Sequence, residues 1–530
     1  MFENGDDDYY DPYAFQYDTP YDPDRQQFLL IPDPVKNFLL FFQQAVSEGN
    51  LYNIQTIYES GFDDMTDKWF RNRSWPSSDD VKDVVGNDQI FLTLYKELYY
   101  RHLYASVTGG PNIKQRIDSY YNYTALFNYI LTPEDEPVML ELPNLWLWDI
   151  IDEFVYQFQS FAIYRSRRST KTEEELKTLD GSTCWYIQSV LNVLYALVEK
   201  SRINQQLAAY NNLKDGDEVY EIAGRFGNQP LYKFLGFFAL VGLCRVSCLI
   251  GDYRTTISVI ENIELNKKGM SWSPDVPSCQ ITMYYYVGFA YMMMRRYQDA
   301  TRCFVNILLY IQRTKNIFHV RSYQNDMISK QTEQMYHLLT ICLCMYPSNI
   351  DEAIFTQLNE KVGDKLTKIQ RGDNPEEELE TLFSYGCPKF LSPSVSTIEE
   401  RMDNHRDMYQ LQLKVFLDEV RQQNTIGIIR SYLKLYSSLP VSKLAKFLAV
   451  TEDELQLHLM AFKHKMSSLV WCGQSSSLGG QFKCESEIDF YIDDDMIHIA
   501  DTKVAAKYGD YFILQIQKCD EIFKKLKAIQ

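Results

Sequence analysis

The sequence is poor in the groups that metal and nucleophilic chemistry require. Seven histidines stand among 530 residues, at 102, 319, 337, 405, 458, 464 and 498, and no two form an HxH pair. His458 and His464 share a predicted helix, but six residues apart they point to different faces. No CxxC pair exists, which removes zinc ribbons and thioredoxin-type sites. A G-x-x-x-x-G-K-[ST] phosphate loop, a G-x-S-x-G elbow and an H-E-x-x-H helix are all missing, and the Gly-rich stretch Gly473 to Gly480 lacks a phosphate-gripping lysine. The carboxylates Glu376, Glu377 and Glu378 read as a solvated charged loop, not as a general acid–base pair. No catalytic, cofactor-binding or metal-binding residue is therefore assigned, and the chain is read as not an enzyme.

Positive charge is also scarce. Lys and Arg number 53 against 71 Asp and Glu, for a formal charge of −18. So acidic a chain is repelled by bulk phosphate, which argues against general nucleic-acid binding unless a local basic face overrides the field. Long apolar runs are absent as well. The longest, Phe234 to Cys244 and Met283 to Met294, fall short of the ~20 residues that span a bilayer. No basic stretch followed by an apolar one opens the chain, so neither a signal peptide nor a membrane anchor is expected. The eleven cysteines are odd in number and mostly embedded in apolar surroundings such as Ile341-Cys342-Leu343-Cys344. That usage fits buried thiols in a reducing compartment, and hence a cytoplasmic protein.

What is present is helix. Residues 1–30 stand apart: the first 24 hold eight acidic residues and no basic one, with Tyr9, Tyr10, Tyr13, Tyr17 and Tyr21 among them. Pro12, Pro20 and Pro23 interrupt any helix, so this zone reads as a disordered acidic, tyrosine-rich tail. Helical spacing then begins, with Asp33 as N-cap and Pro34 at the first helical position, followed by Val35, Phe38, Leu39, Phe42 and Val46. Phe91, Leu94, Tyr95, Leu98 and His102 form a further stripe, and Leu145 to Phe161 and Val190 to Val198 read as buried helices. Strand-type alternation is nearly absent before residue 480, so the first 480 residues are expected to be helix and loop. Within them Gly251-Asp252-Tyr253 and Arg295-Arg296-Tyr297 follow successive apolar helices, their tyrosines 44 residues apart. The second copy carries Gly288, Tyr291, Ala300 and Phe304 at the offsets of a tetratricopeptide helical hairpin, in which small residues let two helices approach closely. A short helical solenoid, offering surfaces more than pockets, is expected.

The last third changes character. Ile426, Ile429, Leu433 and Tyr436 mark one helix and Val441 to Leu448 a second. Thr451 opens a third, with Glu454 completing a capping box, and Leu455, Leu459, Phe462, Met466 and Leu469 run down its inner face. Glu487 to Ile492 then alternates, Asp493 to Asp495 turn, and Met496 to Ala500 return as a second strand. Three helices followed by a hairpin is the winged-helix layout. A final helix from about Thr502 carries Ala505, Tyr508, Phe512, Ile516, Cys519, Phe523 and Leu526 in one continuous stripe, about three turns longer than a winged helix can cover. Such a stripe either docks into a partner bundle or packs back on its own domain.

A winged helix raises DNA reading. The base-reading end of a recognition helix is its N-terminus, and here that end is Glu452-Asp453-Glu454. From Ile426 to Ala500 there are seven Lys/Arg and nine Asp/Glu, so specific DNA is not an expected partner. The wing and its strand edge fit a protein contact better. Two basic clusters, Arg165-Arg167-Arg168-Lys171 and Lys267-Lys268, read either as solvated loops or as contacts to rRNA or an acidic neighbour.

A helical-repeat array running into a winged helix is the layout of the PCI domain. Long stretches of the chain resemble the PCI-domain subunits of eukaryotic translation initiation factor 3: Leu94 to Ala105, Glu141 to Phe161, Tyr284 to Ala300, Asn306 to Lys315, Phe383 to Pro393 and Glu487 to Lys503. The resemblance implies a mainly α fold: a tail (1–30), an N-terminal helical region (31–230), the helical repeats of the PCI domain (231–405), its winged helix (406–501) and a C-terminal bundle helix (502–530). It implies a non-catalytic scaffold subunit of that factor, supporting preinitiation-complex assembly on the small ribosomal subunit and mRNA recruitment, with no cofactor. The implied partners are other subunits of the factor. The K subunit would be a neighbour, and further PCI and MPN subunits would be held through the C-terminal helix. A PCI scaffold of proteasome-lid or mRNA-export type is the alternative. The candidate interface is Ile488, Phe490 and Ile492 on the wing with Tyr508, Phe512, Ile516, Phe523 and Leu526 on the terminal helix.

Overall fold

The computed structural model describes residues 31–530 except 72, 107–109, 170, 213–215, 264, 266–273, 319–321, 373, 393–406, 473–476, 485–487 and 530. The acidic tail, the Lys267-Lys268 pair, His319 and His405 thus lie outside the described residues. The chain is mainly helical and forms two compact units. One holds the residues up to Val287 with Tyr310–Thr332 and Pro388–Gln410; the other holds Gly288–Leu309, Glu333–Cys387 and Leu411–Gln530.

The principal helices of the earlier part are α1 (Asp33–Glu48), α2 (Gln89–Ser106), α3 (Ile113–Leu131), α4 (Asn144–Ser166), α5 (Ile187–Ser201) and α6 (Pro230–Leu249). Helix α1 begins one residue before the sequence reading: Pro32 is the N-cap and Asp33 sits in the first turn, because the Pro32 carbonyl accepts the amides of Val35 and Lys36. In the first unit, α6 is apolar on all sides and accordingly lies at the centre, packed on α4 and α5, as an all-round apolar helix must. Among the described residues it is the one helix long and apolar enough to cross a membrane, yet 89% of its apolar window is buried within the fold. The arginine that ends its longest apolar run, Arg245, pairs with Asp152 at 2.5 Å. A second anchor is Glu97, fully buried: it accepts from Arg101 Nη2 at 2.5 Å, Trp146 Nε1 at 3.1 Å and Tyr123 Oη at 3.3 Å. Both carboxylate oxygens that burial strips of water thus keep a hydrogen-bond donor.

Helices α7 (Pro277–Met293), α8 (Tyr297–Phe318) and α9 (Ser322–Met345) follow, then α10 (Glu352–Arg371), α11 (Pro375–Gly386) and α12 (Asp407–Leu433). In the second unit the small residue the repeat pattern asked for has a steric reason: a Cβ on Gly288 would lie 2.5 Å from the Phe304 ring. The two proposed repeat copies share a further detail. Helices α6 and α7 end in the same Schellman geometry, Gly251 N to Cys248 O and Asp252 N to Ser247 O in one, Arg295 N to Met292 O and Arg296 N to Tyr291 O in the other. Glu376–Glu378, expected in a charged loop, instead form the first turn of α11, where negative charge complements the helix dipole, and Glu376 and Glu378 pair with Arg421 and Lys368.

The C-terminal portion contains β1 (Ser438–Pro440), α13 (Val441–Leu448), α14 (Glu452–Met466), β2 (Ser467–Val470), β3 (Gln481–Cys484), β4 (Ile488–Asp493), β5 (Met496–Asp501) and α15 (Thr502–Ile529). Strands β1 and β2 correct the expectation of helix and loop alone before residue 480. At three and four residues they are too short to display an alternation. Leu469, assigned to the stripe of the third helix, belongs to β2, since α14 ends at Met466.

Candidate interaction surface

The end of α12 with α13 and α14 encloses a core with a three-stranded antiparallel sheet of order β1-β5-β4. Its buried members include Ile426, Ile429, Leu433, Leu444, Leu455, Leu459, Phe462 and Ile497. Local chemistry sets each piece. Thr451 Oγ1 accepts from Glu454 N at 3.3 Å and the Glu454 carboxylate from Thr451 N at 3.1 Å, closing the capping box that starts α14. The β4–β5 hairpin closes over Asp494 and Asp495, both at positive φ, as a type I′ two-residue loop requires. Phe462 and Phe490 stack at 5.5 Å across the helix–sheet interface.

Strand β4 is an edge, but its central residue is not open. Phe490 N donates to Asp489 Oδ1 at 2.9 Å, and Phe490 O accepts from Lys463 Nζ at 2.8 Å. Both backbone groups of that residue are therefore spent within the chain, and a lysine on an edge obstructs strand addition.

The candidate residues divide sharply. Ile488 and Phe490 are each 5% exposed and lie in the core cluster. Ile492, last of the alternating set, is exposed beside the turn, as is its neighbour Tyr491, which stacks on His498. On α15, Tyr508, Phe512, Ile516 and Phe523 are 60–68% exposed; the side chain of Leu526 lies outside the described residues. At 100° per residue these positions share one face of the helix. The sequence reading missed Tyr511, Ile513, Leu514 and Ile522, also exposed, because they fall away from the strict stripe. It missed Leu457 and Met460 too, which are exposed on α14 next to the buried Leu455 and Leu459.

Burial pushes the thiols of Cys303, Cys344 and Cys387 up to about 12, so they stay protonated and inert. His102 Nε2 faces the Arg73 carbonyl at 2.8 Å, and burial lowers its pKa. Among the described residues no three His, Cys, Asp or Glu stand together as a metal site would need. The basic cluster of the first unit is largely consumed: Arg168 makes a two-pronged pair with Asp180, Arg165 donates to Cys184 O, and Lys171 to Arg167 O.

Comparison with known proteins agrees with the extent of the quoted stretches. The family model described as RNA polymerase I-associated factor PAF67 matches residues 115–519. Eukaryotic translation initiation factor 3 subunit L of Xenopus laevis is 52% identical, the alignment covering 98% of this chain and 97% of that protein. The subunit L proteins of Danio rerio and Homo sapiens are each 51% identical over 98% of this chain and cover 95% and 97% of their own length. The chain belongs to the family of eukaryotic translation initiation factor 3 subunit L. Membership over nearly the whole length places both units, and the C-terminal helix with them, inside the family.

Proposed function

We propose that the chain is a non-catalytic scaffold subunit of eukaryotic translation initiation factor 3, acting in the cytoplasm to support preinitiation-complex assembly on the small ribosomal subunit and mRNA recruitment. The observation that carries this reading is the near full-length identity to subunit L proteins. Three features of the chain support it: the exposed apolar face of α15, the outward apolar residues of α14 and a wing whose groups serve packing. In this reading α7 and α8 belong to a tetratricopeptide-like array (231–405), preceded by a helical region (31–230) and followed by a winged helix (406–501); together the array and winged helix make a PCI domain, and 502–530 is its bundle helix. The shared Schellman ends of α6 and α7 and the close Gly288–Phe304 approach favour the repeat. The β1-β5-β4 sheet on three helices favours the winged helix. Tyr508, Phe512, Ile516, Phe523 and Leu526 would enter a bundle with other PCI and MPN subunits, with Ile492 at its rim. Ile488 and Phe490 would act from beneath, holding β4 in place. The K subunit is the proposed neighbour.

The test is a native pull-down of the tagged full chain from cytoplasmic lysate, with and without RNase, followed by a sucrose gradient and mass spectrometry. Recovery of initiation factor 3 subunits that persists after RNase, with a fraction sedimenting with small ribosomal subunits, is the expected result. Recovery of proteasome-lid or mRNA-export subunits instead would overturn the function and leave the fold reading standing.

A further inference from the structure

The C-terminal portion of the second unit segregates its charge. Of the seven cations and nine carboxylates between Ile426 and Ala500, four cations and no carboxylate precede Thr451. The nine carboxylates all follow, from Glu452 to Asp495. In a chain of formal charge −18, the end of α12 with β1 and α13 is thus a local basic stretch. Its one arginine, Arg430, is turned inward, with Nη2 2.8 Å from Met466 Sδ and the guanidinium over the Phe462 ring. Lys434, Lys443 and Lys446 are exposed. The lysines of α14 are engaged instead, Lys463 with Asp489 at 3.6 Å and Lys465 with Glu419 at 2.8 Å. Among the described residues no carboxylate pairs with Lys443 or Lys446. The acidic turn after β4 bounds this face on one side, where Asp495 O accepts from Val441 N at 2.8 Å.

Aromatic rings set the cations in place. Tyr432 at the end of α12 and Phe447 on α13 stack at 5.6 Å. Lys443 Nζ lies 5.5 Å from the centre of the Tyr436 ring and 5.8 Å from that of Phe447. A lysine already held against two rings loses less freedom when it meets an anion. Phe447 is itself 41% exposed, so ring surface lies open among the charges. Ser431, Ser437, Ser438 and Ser442 are exposed on the same stretch and add hydroxyl donors.

We propose that this face binds single-stranded RNA, with phosphates on Lys443, Lys446 and the serine hydroxyls and a base against Phe447. Lysines and hydroxyls are the usual partners of a phosphate backbone, and rings set among cations let any base stack. The kind of cation selects the occupant. A carboxylate is recognised best by the planar fork of an arginine, and here the arginine is turned inward. A lysine is a point charge that serves phosphate from any direction. Duplexes are disfavoured on two grounds: Glu452-Asp453-Glu454 open the next helix, and paired bases cannot reach Phe447. The inference goes beyond the scaffold reading and does not rest on it, since it concerns the chain without other subunits.

The experiment titrates a fluorescein-labelled oligouridylate of ~12 nucleotides into the purified full chain and follows anisotropy. Saturable binding is expected, with a log–log salt slope of about −1.4 to −2 for two or three neutralised phosphates. Lys443→Gln/Lys446→Gln changes two exposed side chains, so it should leave Tm unchanged and weaken binding ~10-fold. Phe447→Leu should weaken it ~5-fold through lost stacking. Lys68→Gln/Lys82→Gln makes the same charge change on exposed residues of the first unit and should alter affinity less than ~2-fold. A readout that needs no variant is photo-crosslinking of a 4-thiouridine oligonucleotide to the native chain, which should mark the segment from Tyr432 to Phe447. Binding absent at low salt, equal losses with the two lysine pairs, or crosslinks that map elsewhere would overturn the proposal. So would an oligoglutamate peptide that outcompetes the RNA and is itself lost with Lys443→Gln/Lys446→Gln, which would assign the face to an acidic protein segment.

Discussion

Replacing Asp299 by alanine should unsettle the second unit far more than its single lost carboxylate suggests. Arg296 is 3% exposed and pairs with Asp299, itself 4% exposed, at 2.7 Å. The same guanidinium donates to three consecutive carbonyls, Ser477 O at 3.1 Å, Leu478 O at 2.9 Å and Gly479 O at 3.0 Å, and so holds the chain that leads into β3. Asp299 in turn accepts from Trp471 N at 3.3 Å, just after β2, and pairs with Arg302 at 3.4 Å. Without Asp299 the guanidinium stays buried with its charge uncompensated, which costs ~3–5 kcal/mol. Arg296→Met should cost somewhat less, because three carbonyls lose their donor while Asp299 keeps Arg302 and the Trp471 amide. The double variant Arg296→Met/Asp299→Leu buries no charge and should cost less than the sum of the two by at least ~2 kcal/mol. Hydrogen exchange of the full chain is the assay, since two units need not unfold together. Protection should fall in β2 and β3 and around residues 296–302, and persist in β5, whose Ile497 lies in a separate core. Single variants that change protection by less than ~1 kcal/mol, or a double variant equal to the sum, would refute the reasoning.

Two other outcomes follow from the same packing. Ile497→Ala deletes a fully buried side chain of the central strand, between Leu439 and Ile492 in register; it should cost ~2–4 kcal/mol by urea denaturation, read from amides of β5. Glu153 has its pKa raised from 4.5 to about 7, chiefly by burial, with Arg101 opposing in part. A carboxyl raised in the folded state contributes stability that is full below the unfolded value of about 4.5 and lost as pH rises through about 7. Glu153→Gln should therefore be neutral near pH 4.5 and stabilising above pH 7, by up to ~3 kcal/mol relative to the native chain. A difference between the two chains that does not change with pH would contradict this.

Much of the C-terminal architecture was legible because its signals are local. The capping box at Thr451 and Glu454 needs only four residues, and the β4–β5 hairpin announces itself by alternation around an acidic turn. The failures have physical causes. Leu469 continues a helical spacing by coincidence while Ser467 already takes extended backbone at the end of α14. Alternation puts Ile488, Phe490 and Ile492 on one face, but Ile488 and Phe490 are buried in the core and only Ile492, beside the turn, is exposed, because period alone does not tell a core face from a contact face. The obstruction of the β4 edge was hidden because Lys463 reaches it from another element, 27 residues away. On the terminal helix, spacing groups Tyr508, Phe512, Ile516 and Phe523, all exposed, but gives no sign of the exposed Tyr511, Ile513, Leu514 and Ile522 beside them.

The most direct test of the scaffold account is to change Phe512 and Ile516 to glutamate, on an exposed face where neither side chain supports the fold, and compare recovery of initiation factor 3 subunits with the native chain after RNase. The account predicts an unchanged Tm with subunit recovery reduced ~10-fold or more, as loss of central apolar anchors brings. Full recovery by the doubly charged chain would contradict it.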